Sequence, residues 1–245
     1  MIRAITFDAV GTLIIPYPSV GAIYAEVLKT HGGYSEPIVL DTRFGTAYKT
    51  LSQQSDKMDR EFWKKVVGQT LSGFCPRENL DKCFNDLWIT FAEGHRWKLL
   101  EGVKDNLIKL KTKGYQLAVI SNNDSRLKKI LREKKIAQYF DKTFVSEEIG
   151  HQKPKLDIFR HVEQSLYFRS NEILHIGDNI LEDYLGAKNA GWQAMLIGRK
   201  RPTEVPEIDY CKSLTEASHQ ITINKQAQAT HDRGIQGPCA GGKSP

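Results

Sequence analysis

Cysteine is scarce in this chain, with only four among 245 residues and no CxxC pair. The dense, even spacing of a secreted disulfide scaffold is absent from the set Cys75, Cys83, Cys211 and Cys239. We therefore expect free thiols. Long apolar runs are also missing, since no window approaches the ~18 uninterrupted apolar residues of a membrane span. Arg3 and Asp8 interrupt the N-terminal segment where a signal peptide needs an unbroken apolar core, so we expect a cytosolic protein.

No basic patch of the kind that binds nucleic acid is evident, although the net charge is +6. Lysine pairs are scattered along helical patterns without interleaved aromatic residues, which is typical of a solvated surface. The densest basic run, Arg199-Lys200-Arg201, is short enough to be an exposed loop. We expect a small anionic substrate and neither a nucleic-acid nor a membrane partner. Hydrophobic residues make up 40% of the chain, enough for a packed interior.

The periodicity of apolar residues changes twice along the chain. Residues 2–7 form a mostly apolar, β-branched run that predicts a strand. From about Ser19 to Arg96, apolar residues recur three or four apart, which predicts successive helices and no strand. After Glu101-Gly102, strand-like runs alternate with helical patterns of about ten residues, as in parallel βαβ units. The sequence therefore predicts an α/β fold, a doubly wound, Rossmann-like parallel sheet with an all-helical insertion after its first strand.

These changes also predict the domain boundaries. We expect residues 1–18 and 97–224 to form the core and residues 19–96 to form a helical cap. Two linkers, near Ile15 to Pro18 and near Arg96 to Glu101, are expected to be its hinges. Beyond Asn224 the composition turns to Gly, Ala and Gln with almost no apolar content. Residues 225–245 are therefore predicted to be a disordered tail.

Polar side chains of several kinds occur at or near the ends of the predicted strands. Ligands of an open parallel sheet bind beyond the carboxyl ends of its strands, so we expect these side chains to share one site. A carboxylate can act as a covalent nucleophile, and a hydroxyl with backbone N–H groups can hold an oxyanion. Grouped carboxylates offer the hard oxygen ligands of a divalent cation. In chain order the side chains are Asp8, Ser121, Asn122, Lys153, Asp178 and Asp183.

Four motifs, FDAVGTL, VISNND, GHQKP and HIGDNILED, occur in this order between Arg3 and about Arg199. In this respect the chain resembles the haloacid dehalogenase-like hydrolase superfamily. The resemblance implies that Asp8 is the nucleophile, Ser121 the phosphate-binding hydroxyl and Lys153 the lysine of the third motif. Lys155 competes for the last role, but the following Pro154 and the spacing from the preceding glycine favour Lys153.

The same resemblance implies a Mg²⁺ cofactor. Its ligands would be Asp8, the backbone carbonyl of Val10 and Asp178, with Asp183 supporting the metal from outside or through water. Thr12, Ser121 and Asn122 are expected to contact the substrate. More narrowly, DAVGTL followed by SVGAIYAEVLKTHGG and AYKTLS is similar to the rhythmically-expressed-gene-2 type, which carries a helical cap after the first motif.

Val10 departs from the pattern of the family's phosphatases, in which the residue two after the nucleophile is usually a second Asp. That Asp protonates the leaving group and later activates water, and such proton transfer contributes typically 10²- to 10⁴-fold. Valine cannot supply it. The preferred interpretation is a Mg²⁺-dependent, phosphatase-type hydrolase with a good leaving group or with an acid and base from the cap.

Three other interpretations remain open. A non-catalytic protein would bind Mg²⁺ and an anion without turnover. A metal-independent 2-haloacid dehalogenase would release halide unprotonated, and Arg43 lies near the expected position of its substrate-binding Arg. Asp178 argues against the dehalogenase, because an extra carboxylate beside a carboxylate nucleophile implies a cation. A phosphonatase-like enzyme would need a lysine from the cap.

Overall fold

The computed structural model describes residues 1–55, 57–203 and 208–223. The predicted tail at residues 225–245 lies outside the described residues. The strands are β1 (Ala4–Phe7), β2 (Ile14–Pro16), β3 (Trp97–Leu99), β4 (Gln116–Ser121), β5 (Lys142–Val145), β6 (Ile173–Gly177), β7 (Gln193–Ile197) and β8 (Tyr210–Cys211). The helices are α1 (Val20–Thr30), α2 (Pro37–Ser52), α3 (Arg60–Leu71), α4 (Leu80–Thr90), α5 (Val103–Thr112), α6 (Arg126–Glu133), α7 (Ser146–Ile149), α8 (Leu156–Leu166), α9 (Gly186–Asn189) and α10 (214–223).

A six-stranded parallel sheet, in the order β5-β4-β1-β6-β7-β8, forms the centre of the molecule. The predicted doubly wound α/β fold with an inserted all-helical segment is confirmed. β1 lies between β4 and β6, so the strand order reverses around it. The carboxyl ends of these three strands therefore open at the same edge of the sheet.

Alternate residues of the central strands face opposite sides of the sheet, as the period of two requires. Ile5 and Phe7 pack into one buried cluster, which also holds Leu107 of α5 and Leu127 of α6. Ala4 belongs to the opposite cluster, with side chains of α8 and β7. Because both faces are covered, these strands are nearly continuous apolar runs.

Helices α1 to α4 are inserted between β2 and β3 and have apolar clusters of their own. At the two predicted hinge linkers, β2 and β3 pair antiparallel, with Ile14 opposite Leu99 and Pro16 opposite Trp97. Three-residue strands formed by residues far apart in the chain leave no periodicity to read. The insertion thus leaves and re-enters the core through adjacent strands.

A second difference concerns the segment after β6, where the alternating pattern predicts a regular helix of about ten residues. The chain instead forms a π-helical segment, Ile180–Leu185, which continues into the short helix α9. The Asn179 side chain caps this segment by accepting from the backbone N–H groups of Leu181 and Glu182. π-helical turns occur frequently at functional sites. In the part of the chain that the structure describes, no helix is both long and apolar enough to cross a membrane.

Candidate active site

The predicted site residues converge at the carboxyl edge of the central strands. Asp8 directly follows β1, Ser121 ends β4 and Asp178 directly follows β6. Lys153 lies in the loop before α8 and reaches the same point, whereas Lys155 is exposed. The parallel order β4-β1-β6 makes these strand ends neighbours.

The Lys153 side chain is the buried centre of the site, with 0% of its surface exposed. Its Nζ donates to Asp8 Oδ1 at 2.8 Å, to Asp183 Oδ1 at 2.5 Å and to the Ile120 carbonyl at 2.8 Å. Burial alone would lower the pKa of this ammonium, but Asp183 and Asp8 raise it above its ordinary value. Lys153 is therefore a fixed cation that links two carboxylates.

Asn122 fixes the loop that carries this lysine. Its Oδ1 accepts from the Lys153 backbone N–H at 2.7 Å, and its Nδ2 donates to the Lys153 carbonyl at 2.8 Å. The same Nδ2 also donates to Glu182 Oε2 at 2.9 Å. Asn122, predicted as a substrate contact, lines the cavity, but its side-chain amide is hydrogen-bonded to the Lys153 loop and to Glu182.

Thr12, also predicted as a substrate contact, is fully buried and supports Asp178 instead. Its Oγ1 donates to Asp178 Oδ1 at 3.1 Å. Gly11 has a φ of +100°, and a Cβ placed there would lie 2.3 Å from Asp178 Oδ2. Glycine at this position thus allows both the left-handed backbone and the close approach of the carboxylate.

Asp8, Asp178 and Asp183 form a compact acidic cluster, in which one oxygen of each lies within 4.8 Å of the others. Both oxygens of Asp183 are engaged, because Oδ1 contacts Lys153 and His175 Nε2 while Oδ2 accepts from the Asn179 N–H at 2.9 Å. His175 is fully buried and its Nδ1 contacts Thr6, so it is a packed core histidine. All three aspartates line the cavity, but Asp183 is the one whose two oxygens are both held by protein groups.

The three carboxylates of this cluster carry more negative charge than the single Lys153 ammonium can neutralise. Burial raises the pKa of Asp8 well above 3.8, against the opposing effect of Lys153, and Asp183 and Asp178 raise it further. Although Asp178 opens to solvent, the loss of hydration in the cleft and the charge of Asp183 raise its pKa to about 6. Asp183 differs: burial opposes the shift, but the Lys153 ammonium and the His175 hydrogen bond hold its pKa well below 3.8.

Glu182 is a site residue that the sequence interpretation missed. It lines the cavity beside Asp183, and burial together with the charge of Asp183 raises its pKa to about 7, despite Lys153. A carboxylate next to Asp183 in the fourth motif was the available signal. On a regular surface helix, however, such a residue is normally solvated. Here the Glu182 side chain belongs to a π-helical segment and lines the cavity.

A cavity of about 340 Å³ opens above these carboxylates, between the sheet edge and the inserted helices. Val10 lines it and packs on the core, so an apolar surface occupies the position of the family's second Asp. Ser121 and Asn123 contribute polar wall. Arg43 does not line this cavity: its guanidinium donates to the Ser72 carbonyl at 2.5 Å and lies 4.7 Å from the Phe74 ring.

The model of the haloacid dehalogenase-like hydrolase family matches residues 2–191, which is most of the chain. This protein belongs to the haloacid dehalogenase-like (HAD-like) hydrolase family. Hydrolase is therefore its enzyme class, and the HAD-like architecture agrees with the sheet described above.

Two curated relatives cover most of this HAD-like chain. The haloacid dehalogenase-like hydrolase domain-containing protein 3 of Xenopus laevis is 31% identical over 213 residues, which is 83% of this chain and 87% of the relative. The rhythmically expressed gene 2 protein of Drosophila melanogaster is 28% identical over 217 residues, which is 81% of this chain and 84% of the relative. The predicted similarity to the rhythmically-expressed-gene-2 type is confirmed.

Among solved structures, the HAD-hydrolase YfnB from Bacillus subtilis, bound to magnesium, matches with a TM-score of 0.75 at 21% identity. The match covers 90% of this chain and 99% of that one. At this identity the likeness concerns the fold.

Proposed function

We propose that this HAD-like hydrolase is a Mg²⁺-dependent phosphatase that attacks a small phosphorylated substrate with the carboxylate of Asp8. The observation that carries the proposal is the position of Lys153, bonded to Asp8 Oδ1 at 2.8 Å and to Asp183 Oδ1 at 2.5 Å under an open cavity. The lysine holds one oxygen of Asp8 and leaves the other for attack on phosphorus. Such an attack forms a covalent intermediate that water then hydrolyses.

The donor set fits Mg²⁺. Glu182 and the three aspartates of the acidic cluster face the single ammonium of Lys153, and burial together with this excess of negative charge raises the pKa values of Asp8 and Glu182. We propose Asp8, Asp178 and the Val10 carbonyl as ligands, with Asp183, whose two oxygens are already engaged, acting from outside. When bound, the ion supplies the charge that keeps Asp8 ionised and stabilises the transferring phosphoryl group.

The remaining residues position the reactants. Thr12 orients Asp178 through its hydrogen bond, and Asn122 fixes the loop of Lys153 from both sides. Ser121, at the cavity wall, is proposed to donate to a phosphoryl oxygen. Val10 offers no proton at the position of the usual acid, so the leaving group departs as an anion.

Residues 19–96 are proposed to act as a cap, and residues 1–18 and 97–224 as the catalytic core. Gln152, next to Lys153, donates through Nε2 to the carbonyls of Ser52 at 2.9 Å and Ser55 at 2.7 Å, which ties the loop to the insertion. Closure of such a unit would exclude water from the site. The cytosol remains the predicted compartment.

The test measures phosphate release from 4-nitrophenyl phosphate by the purified protein, with Mg²⁺ or with EDTA. We expect activity only with Mg²⁺ and a loss of roughly 10³-fold or more in Asp8→Asn. Asp81→Asn is the matched control, because Asp81 is an exposed carboxylate of α4 that pairs with Lys64 at 2.9 Å and does not line the cavity. It should retain full activity.

Each alternative predicts a different outcome of the same experiment. Chloride release from a 2-haloacid in EDTA would make the protein a dehalogenase. Magnesium binding without release of phosphate or chloride would make it a non-catalytic binding protein, as Val10 allows. Phosphate release that survives Asp8→Asn would overturn the assigned nucleophile.

A further inference from the structure

The cavity above the carboxylates has walls of strongly aromatic character. Phe44 and Tyr48 lie one helical turn apart on α2, and their rings stack with centroids 6.1 Å apart at 21°. Trp63 of α3 continues the stack, 6.0 Å from Tyr48 at 25°. Trp88 of α4 also lines the space. The insertion thus contributes aromatic side chains to the lining of a cavity whose floor carries the carboxylates.

These rings are not simply the interior of the insertion. Phe44, Trp63 and Trp88 are only partly buried, packing against its apolar clusters while also lining the cavity. Apolar surface left at a concave site is the usual lining of a small-molecule pocket. At about 340 Å³, the space is near the small end of the range for such pockets, ~300–1,000 Å³.

Tyr48 connects this wall with the floor. Burial, together with the charges of Glu182 and Asp8, raises the pKa of its hydroxyl well above 10.0, so the phenol stays neutral. A neutral phenol therefore lines the cavity together with the carboxylates.

Positive charge available to a second anionic group is lacking along the described wall. In residues 1–55, 57–203 and 208–223, the one basic side chain that lines the cavity is Arg126. Its guanidinium pairs with both oxygens of the buried Asp124 at 2.7 Å, donates to the Trp88 carbonyl at 2.9 Å and stacks 3.5 Å over the Trp88 ring. Among the described residues of the insertion, no lysine lines the cavity; Lys57 pairs with Asp59 and Lys64 with Asp81.

We propose that the substrate is an aryl phosphate monoester whose ring is uncharged and which carries no second anionic group. This proposal rests on the proposed phosphatase activity. The ring would lie against Phe44, Tyr48 and Trp63 while the phosphoryl group meets Asp8. Attack by an Asp8 oxygen forms the new O–P bond as the P–O bond to the ring breaks. The aryl oxide leaves with that electron pair and is protonated by solvent; water then releases phosphate and regenerates Asp8.

This substrate class also accounts for Val10. An aryl oxide is a stable enough anion to leave without a proton from the enzyme, whereas an alkoxide needs general acid catalysis. The aromatic wall and the missing acid therefore point to the same kind of ester. Neither feature depends on the other, since one comes from the insertion and the other from the first strand end.

The test compares three stable phosphonates on the wild-type protein with Mg²⁺, by calorimetry and as inhibitors of acetyl phosphate hydrolysis. Phenylphosphonate carries the ring, methylphosphonate lacks it, and phosphonoacetate adds a carboxylate. We expect phenylphosphonate to bind at least about tenfold more tightly than methylphosphonate, because the ring buries apolar surface. Equal binding of these two, or tightest binding of phosphonoacetate, would overturn the proposed substrate class.

Variants locate the effect. Trp63→Leu should shrink the ratio between phenyl- and methylphosphonate affinities, while Tyr34→Leu, at a site 73% exposed and outside the cavity, should keep it. The wild-type comparison stands even where Trp63→Leu fails to fold. Acetyl phosphate separates the two proposals: its Asp8-dependent hydrolysis without a ring preference contradicts only the substrate class, and hydrolysis independent of Asp8 contradicts the phosphatase mechanism.

Discussion

Replacement of Lys153 by methionine tests the electrostatic account of the site most directly. Methionine keeps an unbranched side chain of similar length but removes the ammonium, which has 0% exposed surface and pairs with both Asp8 and Asp183. Breaking a buried pair by removing one partner costs about 3–5 kcal/mol, because the remaining charge is left uncompensated. We therefore expect Lys153→Met to lose about 3–5 kcal/mol of unfolding free energy at pH 7.5 in EDTA.

The loss should depend on pH, with a defined sign. Without the ammonium, burial raises the pKa of Asp183 in the folded variant above its value in the unfolded chain, so the folded state binds more protons. Stability of the variant then increases as pH falls. One extra proton bound in the folded state raises the free energy of unfolding by about 1.4 kcal/mol for each unit that the pH falls, or by about 3 kcal/mol between pH 7.5 and 5.0. Most of the destabilisation should disappear at pH 5.0.

The assay is urea unfolding followed by tryptophan fluorescence at the two pH values, with metal removed. Lys128→Met is the matched control, because Lys128 pairs with Glu148 at 2.6 Å on the surface. That pair should contribute less than about 1 kcal/mol at either pH. A loss below about 1 kcal/mol for Lys153→Met at pH 7.5, or an equal loss at both pH values, would refute the reasoning.

Three further predictions concern the carboxylates around this lysine. Mg²⁺ affinity should weaken as pH falls from 7.5 to 5.5, because the pKa values of Asp178 and Glu182 are raised to about 6 and about 7. Calorimetry in two buffers should detect the release of protons on Mg²⁺ binding, and a pH-independent Kd would contradict this prediction. Glu182→Gln in EDTA should be more stable than wild type by about 1–2 kcal/mol at pH 8 and equal to it near pH 4.5. The reason is that the cost of an ionised Glu182 in the folded protein appears only above the pKa of this side chain in the unfolded chain. Urea unfolding that gives the same difference between variant and wild type at both pH values would rule this out. Gly11→Ala should weaken Mg²⁺ binding by displacing Asp178. Gly45→Ala is the control and should leave the Kd unchanged, because a Cβ at that position meets nothing within 4 Å. Equal Kd values for the two variants would show that Gly11 does not shape the site.

Much of the site was predictable because its signals are local. A strand is a short apolar run, the residue at its end follows directly, and parallel order brings such ends together. Asp8, Ser121 and Asp178 could therefore be placed at one edge before any contact was known. Lys153 was distinguished from Lys155 by Pro154 and by the spacing from Gly150.

The features that were missed depend on contacts distant in sequence or on irregular helix geometry. Thr12 was expected at the substrate, but no sequence spacing reveals that its hydroxyl reaches a strand end far along the chain. Glu182 points inward from a π-helical segment that apolar periodicity does not distinguish from an α-helix. Phe44, Tyr48 and Trp63 have the same helical spacing whether they fill an interior or line a cavity, so sequence alone could not identify the aromatic wall.

The central place of β1 in the sheet also has a consequence for synthesis of the chain. This strand leaves the ribosome before its partners, which begin only at Gln116 and Ile173. At about 5–20 residues per second, β1 and the adjacent Asp8 wait on the order of ten seconds for a neighbour. During that time the sequentially local helices α1 to α4 can form, whereas the sheet, made of contacts far apart in sequence, must close last.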